Sequence, residues 1–205
     1  MIYSDSEERL NVATHAIGVL LSLPAAYFLI SKSGNMTSLA AAIIFSASLF
    51  LLYLASTVYH ASTNPAKRKQ LRILDHSAIF VLIAGTYTPI CMISLWDNWG
   101  KPLLVIIWSI AIAGIVLKLF FTGRFDRAST VLYVVMGWIA LVAIKPLLES
   151  VATTPLLWLL AGGIFYTVGA VLYSFRKLLY NHAIFHVFVL GGSTCHYIMI
   201  YNFVI

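Results

Sequence analysis

The sequence predicts an all-α fold, a single bundle of seven transmembrane helices over residues 1–205. Three observations predict it. The chain is 61% hydrophobic with only 10% charged residues, and its mean hydropathy is +0.93, far from the mix of an ordinary soluble domain. Its apolar residues come in runs of the roughly 20 needed to cross a hydrocarbon layer about 30 Å thick. The runs are unbroken rather than alternating, which argues for helices over a β-barrel, because isolated strands leave backbone groups unsatisfied in lipid.

The expected spans are 11–31, 37–60, 73–95, 102–121, 129–147, 155–175 and 182–203. Short polar breaks separate them: Lys32 to Asn35, Asn64 to Arg72, Asp97 to Lys101, Thr122 to Arg127, Glu149 to Thr154 and Arg176 to Asn181. None is long enough to hold a separate domain.

Orientation follows from the basic residues. Arg9, Lys67, Arg68, Lys69, Arg72, Lys118, Arg124, Arg127, Arg176 and Lys177 fall on one side, and Lys32, Lys101 and Lys145 on the other. By the positive-inside rule the N-terminus is cytoplasmic and the C-terminus outside, as expected for a multi-pass protein of a cell membrane. The same asymmetry accounts for the net charge of +6 through topology and anionic headgroups, so the partners expected are membrane lipids and no nucleic acid. The opening "MIYSDSEERLN" is acidic and polar, unlike the basic start of a signal peptide, and no cleaved signal is expected.

Cys91 and Cys195 lie inside spans without CxxC spacing and read as small apolar fillers. Gly162, Gly163, Gly169, Gly191 and Gly192 are expected to let the last two spans pack closely. Trp96, Trp99 and Tyr3 read as interfacial anchors. In "GTYTP" (85–89) the hydroxyls stand beside Pro89, where freed backbone groups need partners, and a kink lining the bundle interior is expected.

Chemistry concentrates at one depth. In "NHAIFHVF" (181–188) His182 and His186 are four apart, on one face at the cytoplasmic start of the last span. His60 closes the second span at the same end and Asp75 opens the third there. Ionisable groups inside a membrane are costly and usually functional. Three imidazoles with a position left open is a zinc arrangement suited to catalysis, and structural zinc sites usually have four protein ligands. His60, His182 and His186 are therefore the expected metal ligands and zinc the expected cofactor. Asp75 and Ser56 are the expected catalytic pair: the carboxyl to orient a water or take its proton, the serine, four residues before His60, to hydrogen-bond a ligand, the water or a substrate carbonyl.

Spacing also places the other polar residues. Glu8, Asn11 and His15 share a face of the first span and could back the site; the preferred reading pairs Glu8 with a loop Arg or Lys and uses Asn11 to tie down a helix end. His76 is about 100° around the helix from Asp75 and faces elsewhere. His196 is fourteen residues beyond His182, about 21 Å along a helix, too far to share a coordination sphere, and reads as a polar packing contact.

Together "ERLNVATH" (8–15), "STVYH" (56–60), "LDHSAIFVLIAGTYTP" (74–89) and "HAIFHVFVLGGSTCH" (182–196) resemble the progestin and adiponectin receptor and hemolysin III family, which is grouped with the alkaline ceramidases. The resemblance covers nearly the whole chain, and the short loops are similar to the bacterial hemolysin III branch. It implies a zinc ion on His60, His182 and His186, a water near Asp75 and Ser56 close by. His76 departs from the receptor branch, where Tyr is common. Two functions follow as expectations: a zinc-dependent hydrolase of a lipid amide or ester, or a non-catalytic sensor or cytolytic protein in which the metal is structural.

Overall fold

A computed structural model describes residues 4–205; Tyr3 lies outside them. Its α-helices are α1 (Asp5–Lys32), α2 (Met36–Ala61), α3 (Pro65–Pro89), α4 (Lys101–Phe121), α5 (Asp126–Gly137), α6 (Ile144–Ser150), α7 (Thr153–Ser174) and α8 (Asn181–Met199). Helices α5 and α6, joined by a 3-10 segment at Ile139–Ala143, form one span. Counted so, seven helical segments are long and apolar enough to cross a membrane, and no strand occurs among the described residues. The expected all-α architecture is the one observed.

Two helices begin well before the hydropathy pattern starts. At α1 the Ser4 hydroxyl accepts the Glu7 N–H at 3.2 Å, and Asp5, Glu7 and Glu8 occupy the positive first turn. At α3 the Asn64 side chain accepts the N–H groups of Ala66 and Lys67, with Pro65 at the first helical position. Both additions are polar and so invisible to a hydropathy window. They put Glu7, Glu8, Arg68 and Arg72 on helices, where their directions are fixed.

Helices α2, α3 and α8 are the most enclosed. Ala42, Phe45, Ala84, Cys91, Ile107, Ala111 and Met136 are essentially inaccessible, whereas Leu20, Phe28, Val105, Phe120, Val142 and Leu148 point outward. An outward apolar surface is what lipid solvates. Cys91 and Cys195 are buried free thiols, and Trp96 and Trp99 are exposed between spans three and four, as anchors should be.

The "GTYTP" stretch accounts for two breaks. Thr86 and Thr88 return their hydroxyls to the carbonyls of Leu82 and Ala84, at 2.8 and 2.9 Å, and after Pro89 the chain widens into π-turns at Ile90–Ser94 and Trp96–Gly100. The Tyr87 hydroxyl donates to the carbonyl of Gly137 at 2.7 Å and accepts the N–H of Ala140 at 2.9 Å. That bridge satisfies backbone groups released where α5 stops, so a broken helix survives in an apolar setting.

Close packing of α7 on α8 rests on glycine at defined points. A Cβ on Gly162 would lie 2.2 Å from the His196 ring, and one on Gly169 would lie 2.7 Å from Cβ of Phe188. Gly163, by contrast, faces Trp138 of the fifth span at 3.4 Å, an ordinary contact, and takes no part in the α7–α8 approach. We predict that Gly162→Ala destabilises the protein by about 1–3 kcal/mol through overpacking, while Gly163→Ala changes stability by less than about 0.5 kcal/mol; thermal denaturation in detergent checks the contrast.

Candidate metal centre

Three imidazoles meet where the ends of α2 and α8 come together. His60 lies in the last turn of α2, His182 and His186 in the first turns of α8, and all are buried. One nitrogen from each ring can be chosen so that the three lie within 4.8 Å of one another, a grouping able to hold a metal ion. Nε2 of His182 is 3.0 Å from Nε2 of His60. Two nitrogens bound at about 2.0–2.1 Å to one tetrahedral zinc stand roughly 3.3 Å apart. The observed approach is close to that.

Partners on the far side of two rings fix their roles. Nδ1–H of His60 donates to Oε2 of Glu8 at 2.6 Å, which leaves Nε2 the acceptor nitrogen. Nδ1 of His186 lies 3.3 Å from the Asn11 carbonyl and 3.2 Å from Thr14 Oγ1; the Thr14 hydroxyl itself donates to the Leu10 carbonyl at 2.8 Å. Nδ1–H is thus the donor there too, and Nε2 again carries the lone pair. Orientation of metal-binding histidines by a carboxylate and a carbonyl is the usual supporting arrangement. With Nε2 of His60 unprotonated, its approach to His182 closes through a proton on the His182 ring or through a shared cation. The donor set fits a borderline ion such as zinc.

The support comes from α1. Glu8 Oε1 is held by the Arg68 guanidinium, which also donates to the Ser62 carbonyl at 2.9 Å at the end of α2. Glu8 therefore takes an Arg, as the preferred sequence reading had it, and backs His60 as well. Asn11 holds His186 through its carbonyl, while its side-chain nitrogen, 3.4 Å from His60 Nδ1, meets a nitrogen that already donates to Glu8 and gives it no second bond. His15 stacks on His186, ring centroids 3.5 Å apart and nearly parallel. Spacing missed Glu7, whose carboxylate accepts the backbone N–H of His182 at 3.2 Å and caps α8. It missed Thr14 as well. Glu7, Asn11 and Thr14 recur at four and three residues, a pattern that could have marked one polar face.

Beside the triad lies a largely apolar cavity of about 440 Å³. Ser56, Asp75, His182 and His186 contribute to its wall at one end, and Leu52, Leu82, Ile83, Phe185 and Val189 continue it into the bundle. Asp75 is buried. The Ser56 hydroxyl faces the Asp75 carboxyl without closing a normal hydrogen bond to any described residue. Asp75 and Ser56 are thus brought to the triad's cavity, while His60 supports it from behind. His196 stands apart, with Nε2 on the Leu159 carbonyl at 3.2 Å, the packing contact expected of it. His76 turns from the triad toward Lys118 and Asp126.

A family model described as haemolysin-III related matches residues 3–197. The chain belongs to that family. It is similar to the Hemolysin-3 of Bacillus cereus, 48% identical over 97% of this chain and 92% of the relative. The Hemolysin-3 homolog of Bacillus subtilis (strain 168) is also 48% identical, over 94% of this chain and 92% of the relative. More distantly, the human Monocyte to macrophage differentiation factor is 23% identical over 96% of this chain and 84% of the relative. This member of the haemolysin-III related family is a multi-pass membrane protein with a histidine triad able to hold a metal.

Two outcomes follow for this site. Protein purified without chelators is expected to carry near-stoichiometric metal by plasma mass spectrometry, and His182→Ala to lose it. Glu8→Ala is expected to weaken metal affinity by about 10–100-fold, read by chelator competition, since His60 loses the carboxylate that orients it.

Proposed function

We propose that the protein is a zinc-dependent hydrolase of a lipid amide or ester, working in the cell membrane with its N-terminus and its site on the cytoplasmic side. The observation that carries this reading is the grouping of His60, His182 and His186, with His182 and His186 on the wall of a cavity whose remaining surface is mostly apolar. Three neutral imidazoles leave a position for water or substrate, the pattern of catalytic rather than structural zinc. The cytoplasmic assignment rests on the ten-to-three division of Lys and Arg.

His60, His182 and His186 would hold the ion through ring nitrogens whose opposite edges Glu8 and the Asn11 carbonyl already engage on two of the rings. Bound there, zinc would supply Lewis acidity, which would polarise a substrate carbonyl and make water at the site a better nucleophile. The protein's residues do the rest. Leu52, Leu82, Ile83 and Val189 accept an acyl chain and exclude bulk water. Asp75 takes the proton of the attacking water and returns it to the departing nitrogen or oxygen as the bond from acyl carbon to that atom breaks, so the products are a carboxylic acid, which then ionises, and an amine or alcohol. Ser56, beside Asp75, donates its hydroxyl to the carbonyl oxygen as negative charge builds there.

One observation favours a non-catalytic sensor or lytic protein instead: the triad joins α2 to α8, so the same ion would clip two helices together. Turnover of a lipid panel by wild type and by Asp75→Asn, at equal metal content, separates the two. The hydrolase reading expects a loss of about 10²–10⁴-fold in the variant; equal rates, or none from either, would favour the clip.

A further inference from the structure

A second polar wall faces the cavity at the same end. Lys118, in the last turn of α4, is only 4% exposed. A lysine so near the end of a spanning helix ordinarily extends its ammonium to the interface. This one turns inward and lines the cavity with His76, Asp126, Ser129, Thr130 and Tyr133.

Its partners there are few. Nζ is 3.4 Å from Nδ1 of His76, 4.0 Å from Oδ1 of Asp126 and 6.0 Å from the centre of the Tyr133 ring. The Asp126 carboxylate is committed elsewhere, with Oδ2 accepting from Arg72 Nη2 at 2.6 Å. The turn through Gly123, whose φ of +88° suits glycine, brings α5 and its leading Asp126 under α3. Oδ1 of Asp126 is buried and closes no hydrogen bond to a described residue. Two cations, Lys118 and Arg72, therefore share one carboxylate, and an ammonium with three N–H donors keeps most of them unused. Burying a charge in that condition is unfavourable unless a further anion completes it.

We propose that this wall binds the phosphate of a lipid headgroup, so that the substrate is an acyl lipid bearing phosphate. The assignment rests on the hydrolase reading and narrows it. Lys118 supplies the charge to the phosphate, while Arg72, which is not on the cavity wall, holds one oxygen of the Asp126 carboxylate. The phosphate sits against α3, α4 and α5 while the acyl chain lies in the apolar part of the same cavity. An anionic group at headgroup depth is also the anion a bilayer offers at highest density.

Binding rather than turnover tests it, on metal-loaded full-length protein in non-ionic detergent, with dioctanoyl phosphatidic acid compared against dioctanoylglycerol by calorimetry. The phosphate-bearing lipid is expected to bind at least about tenfold tighter, the effect of a charge-assisted contact. Lys118→Met should abolish the preference. Asp126→Asn removes the competing carboxylate and should keep or increase it. Equal affinities in wild type, or a preference that survives Lys118→Met, would overturn the proposal, as would its loss in Asp126→Asn, the mark of a structural ion pair. Displacement of the lipid by equimolar inorganic phosphate would also overturn it, in favour of a free-phosphate site. Because no step of the assay needs hydrolysis, absence of turnover refutes the enzyme reading alone and leaves this result legible.

Discussion

An imidazole inside an apolar bundle has two polar nitrogens to satisfy, and Glu8 settles that problem for the whole site. One carboxylate oxygen accepts Nδ1–H of His60 and the other is held by Arg68. The first contact makes Nε2 of His60 a lone-pair donor turned toward α8. The second keeps the carboxylate charged, although it is nearly buried, and carries the arrangement to the end of α2, where Arg68 also takes up the Ser62 carbonyl. Four groups that would each be unfavourable alone are satisfied as a chain.

The consequence is that α1 does more than cross the membrane. It packs along both α2 and α8, and its first turns present Glu7 to the start of α8, Glu8 to His60, and Asn11 and Thr14 to His186. A helix rise of 1.5 Å per residue spreads these over about 10 Å, enough to flank ligand nitrogens that lie within 4.8 Å of one another. His15, one turn beyond Asn11, closes the inner edge by stacking on His186. Ligand geometry on two helices is thereby set from a third.

Much of this was legible in the sequence because the signals are periodic. Seven apolar runs gave the spans, and His60, His182, His186 and Asp75 could be assigned to one depth, with Ser56 a turn from His60 on the same face, by counting along helices. The missing parts have a common cause. The polar extensions of α1 and α3 lie where hydropathy falls, so helix starts at Asp5 and Pro65 were hidden even though Ser4 and Asn64 are ordinary caps. The break between α5 and α6 was hidden for the opposite reason, since residues 138–144 are apolar and the backbone groups it releases are satisfied by a tyrosine about fifty residues away. Glu8 was read as a partner for Arg or for the site, and a carboxylate with two oxygens serves both. Gly163, grouped with its neighbours by composition, faces the fifth span; a helix face one residue away points about 100° elsewhere.

A cation at the three nitrogens would link α2 to α8 whether or not it takes part in a reaction, so stabilisation by metal does not discriminate between a clip and a catalyst. What discriminates is the surroundings of the triad. A purely structural ion is best served by a closed shell, with its remaining position filled by protein and no carboxyl left unattached nearby. Here His60 is sealed behind Glu8, but His182 and His186 edge a cavity that also holds Asp75 and the Ser56 hydroxyl, and the cavity continues into apolar space. Keeping a carboxyl and a hydroxyl at such a place costs stability that a simple fastener has no reason to forgo. The site is asymmetric, hydrogen-bonded behind His60 and open to the cavity beside His182 and His186, and that asymmetry supports the proposed hydrolase over a simple clip.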